Sequence, residues 1–242
     1  MTTVILTRPQ NRVRQTAAVY QAAGFRVHLS PVFDLRLNPM VRPEWLFMAA
    51  NTWVILSVHA LRFTLQVAPN WHPDSDTRVI AVGPAVQQAW QKHFDHPIEY
   101  HPLMNSEGVI KLLQQQPAGS VKILTNRDGR GLIRAHCMTE GISYQQINIY
   151  ERILLPLDLA ALQDLYALET PVLTATSGGI LQAWFSQLKD ELKSQVLSAP
   201  LVVGAGRIAE VATDMGFSHL VVARNPTDEA MCAALSDLTA NH

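Results

Sequence analysis

The chain is poor in cysteine, in net charge and in long apolar runs. Its only cysteines among 242 residues are Cys137 and Cys232. They lie far apart, each in a helix-like stretch without a redox or metal motif. They read as small buried hydrophobes rather than as a disulfide or a nucleophile. Lys and Arg number 19 against 20 Asp and Glu, a formal net charge of -1. That balance excludes a global basic field for nucleic acid, so any anion site must be built locally.

No stretch approaches the ~20 unbroken apolar residues of a bilayer span. The segment Met1 to Pro9 lacks the basic start and apolar core of a secretory leader and reads as a strand, so the expected location is the cytoplasm. No full GxGxxG follows a strand, and no Walker lysine loop is present. Gly204-Ala205-Gly206 is half a dinucleotide fingerprint, and no cofactor is expected. Nine histidines supply one close pair, His93 and His96 beside Asp95. No HExxH or carboxylate–histidine set accompanies it, and no metal is expected.

What is present is an ordinary globular balance, 48% hydrophobic and 16% charged, enough to bury one large core or two small ones. The pattern repeats internally. Val4-Ile5-Leu6-Thr7 reads as a short buried strand, a helical stretch runs to Gly24, and Phe25 to Leu29 alternates as a second strand. Val121 to Thr125, Gly141 and Tyr144 to Ile149 repeat this plan, with Ile5 and Ile123 offset by 118 and the glycines by 117.

Further on, Trp53-Val54-Ile55-Leu56-Ser57 resembles Val172 to Ser177, and Val79 to Gly83 resembles Leu201 to Gly204. Asn105-Ser106-Glu107-Gly108 resembles Pro226 to Glu229, with Ser106 and Thr227 as expected helix N-caps. These offsets are 120 or 121. Each half therefore predicts five short strands alternating with helices, the signature of a doubly wound parallel α/β sheet. A period near 120 is too long for a solenoid and indicates a duplicated domain. The strand-like stretches 31–43 and 150–158 are either loops or carriers of the chain between domains.

Several segments together resemble the uroporphyrinogen-III synthase family. They are Ile5-Leu6-Thr7-Arg8-Pro9, Leu56-Ser57-Val58-His59-Ala60, Val82-Gly83-Pro84-Ala85 and Asn105-Ser106-Glu107-Gly108. Asn126 to Leu132, Ile149-Tyr150-Glu151-Arg152 and Thr176-Ser177-Gly178-Gly179 complete the set. Their order and spacing, from about residue 4 to 235, carry the resemblance.

The resemblance implies two flavodoxin-like domains joined by a two-stranded linker, with the first two strands of one repeat completing the last three of the other. One domain would comprise 1–34 and 160–242, the other 41–148, with linkers 35–40 and 149–159. It implies a cytoplasmic, monomeric, cofactor-free lyase. Such an enzyme closes the linear tetrapyrrole hydroxymethylbilane with loss of water and inversion of ring D through a spiro intermediate. Contact with the preceding pathway enzyme would be transient. The alternative is a non-enzymatic two-lobed ligand-binding or regulatory protein of similar architecture.

Ligands of open α/β sheets bind beyond the carboxyl ends of the strands. The residues at the family's loop positions there are Arg8, Pro9, Ser57, His59, Gly83, Ser106, Arg127, Arg130, Gly131, Ser177, Gly178 and Gly204, the expected substrate contacts. Loops of both domains would line one cleft. A substrate with eight carboxylates suits arginine forks, hydroxyls and helix-terminal amides. The run Asn126 to Gly131 is the expected acid cradle. Ser57 and Ser177 serve equally as helix N-caps. Tyr150, matching the family tyrosine, is the expected general acid, and its counterpart in the first repeat, Phe33, has no hydroxyl. The sequence departs from the family at Gly204-Ala205-Gly206-Arg207, which lacks the usual threonines, and at His59 and Gly178-Gly179.

Overall fold

The computed structural model describes residues 1–116, 119–127 and 131–240. The chain begins β1 (Thr3–Leu6), α1 (Gln10–Ala22), β2 (Arg26–Leu29), β3 (Phe33–Leu37), α2 (Glu44–Phe47), β4 (Thr52–Ile55) and α3 (Val58–Val67). It continues with β5 (Arg78–Ala81), α4 (Pro84–Trp90), α5 (Ser106–Gln115), β6 (Ser120–Asn126), α6 (Leu132–Thr139) and β7 (Ser143–Leu154). Then come α7 (Leu159–Leu168), β8 (Val172–Ala175), α8 (Gly178–Phe185), α9 (Asp190–Ser198), β9 (Leu201–Val203), α10 (Gly206–Asp214), β10 (Leu220–Val222) and α11 (Asp228–Ala240). No described helix is long and apolar enough to cross a membrane.

Two compact units result, one of Met1–Leu35 with Ile153–His242 and one of Arg36–Arg152. The first holds a parallel sheet in the order β10-β9-β8-β1-β2. Period-two alternation splits its strands between two cores. Ile5, Leu173, Ala175, Leu201 and Val203 face one side, where Leu162, Leu181, Trp184, Val196 and Ile208 cover them. Val4, Leu6, Val172 and Val202 face the other, against Val13, Ala17 and Tyr20 of α1 and Met231 and Leu235 of α11. Near-continuous apolar strands are what a sheet buried on both faces requires. The indole N–H of fully buried Trp184 donates to Ser30 Oγ at 2.7 Å.

The second unit holds the sheet β3-β7-β6-β4-β5. Val54, Ile80, Val121 and Ile123 pack on α5 and α6 through Val109, Leu112, Leu113, Ile133 and Cys137. The other face carries an aromatic cluster in which Trp53, Trp71, Trp90 and Phe94 meet at centroid distances of 4.8, 5.9 and 4.3 Å. Both connections between the units take part in strand pairing. The Asn38 N–H donates to the Ile149 carbonyl, and the Leu155 N–H donates to that of Val32.

Gly24 and Gly141 follow α1 and α6 with φ of 90° and 67°. Both close their helices in the left-handed conformation that glycine adopts at no steric cost. The expected fifth strand of the first repeat is reduced to a single bridge, Ile80 to Glu99. Pro97 and Pro102 flank it and lack the N–H groups a longer ladder needs. Arg78 secures the bridge by its ion pair to Glu99 at 2.6 Å. Ser106 is the first residue of α5 rather than its cap. Asn105 is the N-cap, and its side chain accepts from the Gly108 N–H at 2.9 Å. Thr227 Oγ1 accepts from the Ala230 N–H, as a cap does.

Candidate active site

In the unit Arg36–Arg152, β4 ends at Ile55 and the chain turns through Ser57 into α3. Ser57 is extended, and its Oγ accepts from the Ala60 N–H at 3.0 Å, an N-cap bond that fixes the start of the helix. From that start, His59 and Phe63 share one helix face at i and i+4.

Tyr150 stands opposite them on β7. The parallel ladder pairs Thr125 with Asn148 but Asn126 with Tyr150, so Ile149 is an extra residue in β7. Such bulges re-aim the side chains beside them. Tyr150 lies inside a continuous strand that runs to Leu154. Its ring is stacked on Phe63 at 5.6 Å, and His59 meets it edge-on at 6.1 Å. The Tyr150 hydroxyl is 3.1 Å from Ser57 Oγ, and the residue is 7% exposed. Arg62 covers the ring of Phe63 with its guanidinium carbon 4.5 Å away.

Tyr150 is among the residues that line a cavity of about 370 Å³ at the carboxyl ends of β4, β5 and β6. Leu56, Val82, Ile123 and Leu132 supply its apolar wall. Ser106, Asn126, Arg134, Gln146 and Arg152 supply polar groups. Gly131, left-handed at φ 69°, caps α6, whose first turn carries no acidic residue. Amides at a helix start beside two guanidinium groups favour anions, and an apolar wall suits the body of a ring.

Among the residues singled out by sequence, Ser106, Gly131 and Tyr150 line this cavity, and Ser57 and His59 abut Tyr150. Arg127 is exposed in the turn that follows β6 and is not among the lining residues. Arg130 lies outside the described residues. Gly83 follows the lining residue Val82 and is not itself among the lining residues; a Cβ there would sit 3.4 Å from the Cβ of Met104. Sequence reasoning missed Arg134 and Gln146, and it quoted Arg152 without assigning it to the site. Alternation along Tyr144, Gln146 and Asn148 was the available signal for Gln146. A single arginine in a helix carries no comparable signal.

The unit Met1–Leu35 with Ile153–His242 places its residues differently. Arg8, expected to meet a substrate carboxylate, pairs instead with Asp228 at 2.6 Å and donates to the Pro226 carbonyl at 2.7 Å. Thr16 also donates to Asp228. Burial pushes the nearby Tyr20 hydroxyl well above the usual phenol range. Pro9 and Ser177 occupy N-cap positions, and Ser177 makes no side-chain capping bond. Gly178 opens α8 against Val211. Gly204 answers to packing: a Cβ would lie 2.7 Å from Pro226 Cβ and 2.9 Å from its Cα.

A doubly wound α/β unit with a strand-end cavity lined by a buried tyrosine, arginines and a helix start has the chemistry that suits a ring-bearing anion. A family model described as Uroporphyrinogen-III synthase HemD matches residues 14–233. The chain belongs to the uroporphyrinogen-III synthase family, cyclising lyases of tetrapyrrole biosynthesis. This membership favours the enzyme over the two-lobed binding protein.

The fold is shared with solved structures. One is a mutant uroporphyrinogen III synthase from the extremely thermophilic bacterium Thermus thermophilus, 14% identical at a TM-score of 0.65, covering 100% of both chains. Another is uroporphyrinogen-III synthetase from Helicobacter pylori, 17% identical at a TM-score of 0.64, covering 98% of this chain and 100% of that one. No curated protein sequence matches the chain.

Proposed function

We propose that the protein converts hydroxymethylbilane to uroporphyrinogen III, with loss of water and inversion of ring D, and that Tyr150 is the general acid. In the proposed sequence the hydroxymethyl oxygen of ring A leaves as water and a stabilised cation remains. Ring D attacks through its substituted carbon to give a spiro intermediate, which opens and recloses with the ring inverted. The linear substrate closes without inversion when left alone. The enzyme's task is therefore conformation more than reactivity, and holding a near-attack geometry is worth up to about 7–11 kcal/mol.

The observation that carries this reading is Tyr150, a residue of the cavity that Arg134 and Arg152 also line, with its hydroxyl held by Ser57 and its ring by Phe63. The arginines and the α6 start suit substrate carboxylates. The hydroxyl suits protonation of the departing oxygen. In this reading no cofactor takes part. The protein acts as a cytoplasmic monomer, and its two buried unpaired cysteines suit a reducing compartment. Any contact with the enzyme that supplies the substrate is transient.

Turnover of Tyr150→Phe tests the acid role. The hydroxyl contributes one hydrogen bond to the fold, so the variant should melt within a few degrees of wild type, and kcat should fall by about 10- to 100-fold. An unchanged kcat in a folded variant removes Tyr150 from the chemistry.

A further inference from the structure

Ser57 Oγ has two partners, and both belong to the protein. It accepts the Ala60 N–H at 3.0 Å and lies 3.1 Å from the Tyr150 hydroxyl. A hydroxyl has one proton to give and two lone pairs. The Ala60 amide occupies one lone pair, and the other lone pair and the proton remain, so either hydroxyl can be the donor in the contact with Tyr150. When Tyr150 directs its own proton at a leaving group, the contact persists as a hydrogen bond only with Ser57 as donor. The amide of Ala60, at the start of the ten-residue helix α3, polarises the Ser57 O–H and strengthens it as a donor.

We propose that Ser57 is a positioning residue that acts through Tyr150: it orients the hydroxyl for proton donation and then stabilises the resulting phenolate. The proposal rests on the acid role of Tyr150. In the step, the Tyr150 O–H bond breaks and its proton goes to the hydroxymethyl oxygen of the substrate. The C–O bond then breaks, and its electron pair leaves with water. The substrate is left with a positive charge delocalised over the pyrrole, and Tyr150 with a negative one. A donor already aimed at the oxygen where charge develops is worth more in that transition state than in the ground state. When ring closure is complete, the ring carbon gives up its proton and Tyr150 is restored, for a net loss of one water.

The surroundings fit an orienting role. Phe63 stacks on the phenol ring at an interplanar angle of 19° and His59 meets its edge, so α3 holds the ring by two side chains as well as by its cap. The duplicated half does not reproduce the arrangement. The matching serine, Ser177, makes no capping bond, and the matching aromatic, Phe33, has no hydroxyl.

A double-mutant cycle on the full-length enzyme tests the coupling. With Tyr150 present, Ser57→Ala should lower kcat about tenfold, the size of a charge-assisted hydrogen bond, and shift KM by less than about twofold. Ser57→Thr, which keeps both the cap and the donor, should recover most of the loss. In the Tyr150→Phe background the same Ser57→Ala change should alter kcat by less than about twofold. Ser57→Gly, which still permits the helix start, replaces Ser57→Ala if that variant does not fold. An unaltered kcat, an equal loss in both backgrounds, a loss confined to KM, or no recovery with threonine overturns the proposal. An unchanged kcat in Tyr150→Phe alone overturns the acid role instead, so the two failures are distinguishable.

Discussion

The hydroxyl of Tyr150 meets Ser57 Oγ at 3.1 Å across 93 residues of sequence. The contact joins β7, at the point where Ile149 interrupts its ladder, to the first turn of α3. A helix cap and a strand irregularity, each local, thereby hold the phenol of a residue that lines the cavity.

The exposed arginines of that cavity should act on binding. Arg134→Ala and Arg152→Ala each remove a guanidinium from the lining, and each should raise KM by about tenfold. Thermal stability should stay within about 0.5 kcal/mol of wild type. Arg127→Ala, outside the lining, should raise KM less. Steady-state kinetics on the three variants checks the ranking.

Arg8 should behave as a structural residue. Its pair with Asp228 leaves the two side chains only 12% and 21% exposed. Asp228→Asn withdraws the compensating charge and should cost about 1–3 kcal/mol of stability, read from the urea midpoint. Measured well below the unfolding range, kcat and KM should change little. A rise in KM without loss of stability would return Arg8 to the substrate.

Gly204→Ala should destabilise by about 1–3 kcal/mol, because the new methyl meets the backbone and ring of Pro226 rather than a flexible chain end. Thermal unfolding measures it. Gly206→Ala two residues on, with nothing near its Cβ position, is the control and should be close to neutral.

Lys122 makes the stability pH-dependent. Its ammonium is buried on β6, donates to the Trp45 and Met48 carbonyls and lies 4.8 Å from the Trp53 ring centroid. Burial pulls its pKa down to about 8, against about 10.4 in an unfolded chain. Between those values the unfolded state binds the proton more tightly, so this residue's contribution to stability rises as pH rises. The stability of wild type relative to Lys122→Met should therefore improve from about pH 8 to about pH 10.4 and level off outside that window. Denaturant titrations of both proteins across the window read the difference, and the comparison cancels the opposing effect of the buried thiols Cys137 and Cys232, whose pKa values burial raises.

Much of the fold was legible because it rests on local periodicity. The apolar runs at Val4, Val54, Val121 and Val172 and the helix-ending Gly24 and Gly141 all form as expected. Asn105 and Ser106 are adjacent and both good caps, so the choice between them depended on backbone geometry. The site was less legible. Ser106, Gly131 and Tyr150 line the cavity, but the ion-pair partner of Arg8, Asp228, is far away in sequence. The bulge at Ile149 arises from strand register, which composition does not encode. Gly204 matched a ligand-binding turn by position, and the approach of Pro226 gives the glycine a packing reason that the sequence does not show.

The most direct test of the central claim is the isomer produced. Hydroxymethylbilane would be generated in place, incubated with the protein without added cofactor, and the oxidised uroporphyrin isomers separated. Predominance of isomer III that depends on the protein is the predicted result. Isomer I at the uncatalysed rate, from a sample verified as folded, would contradict it.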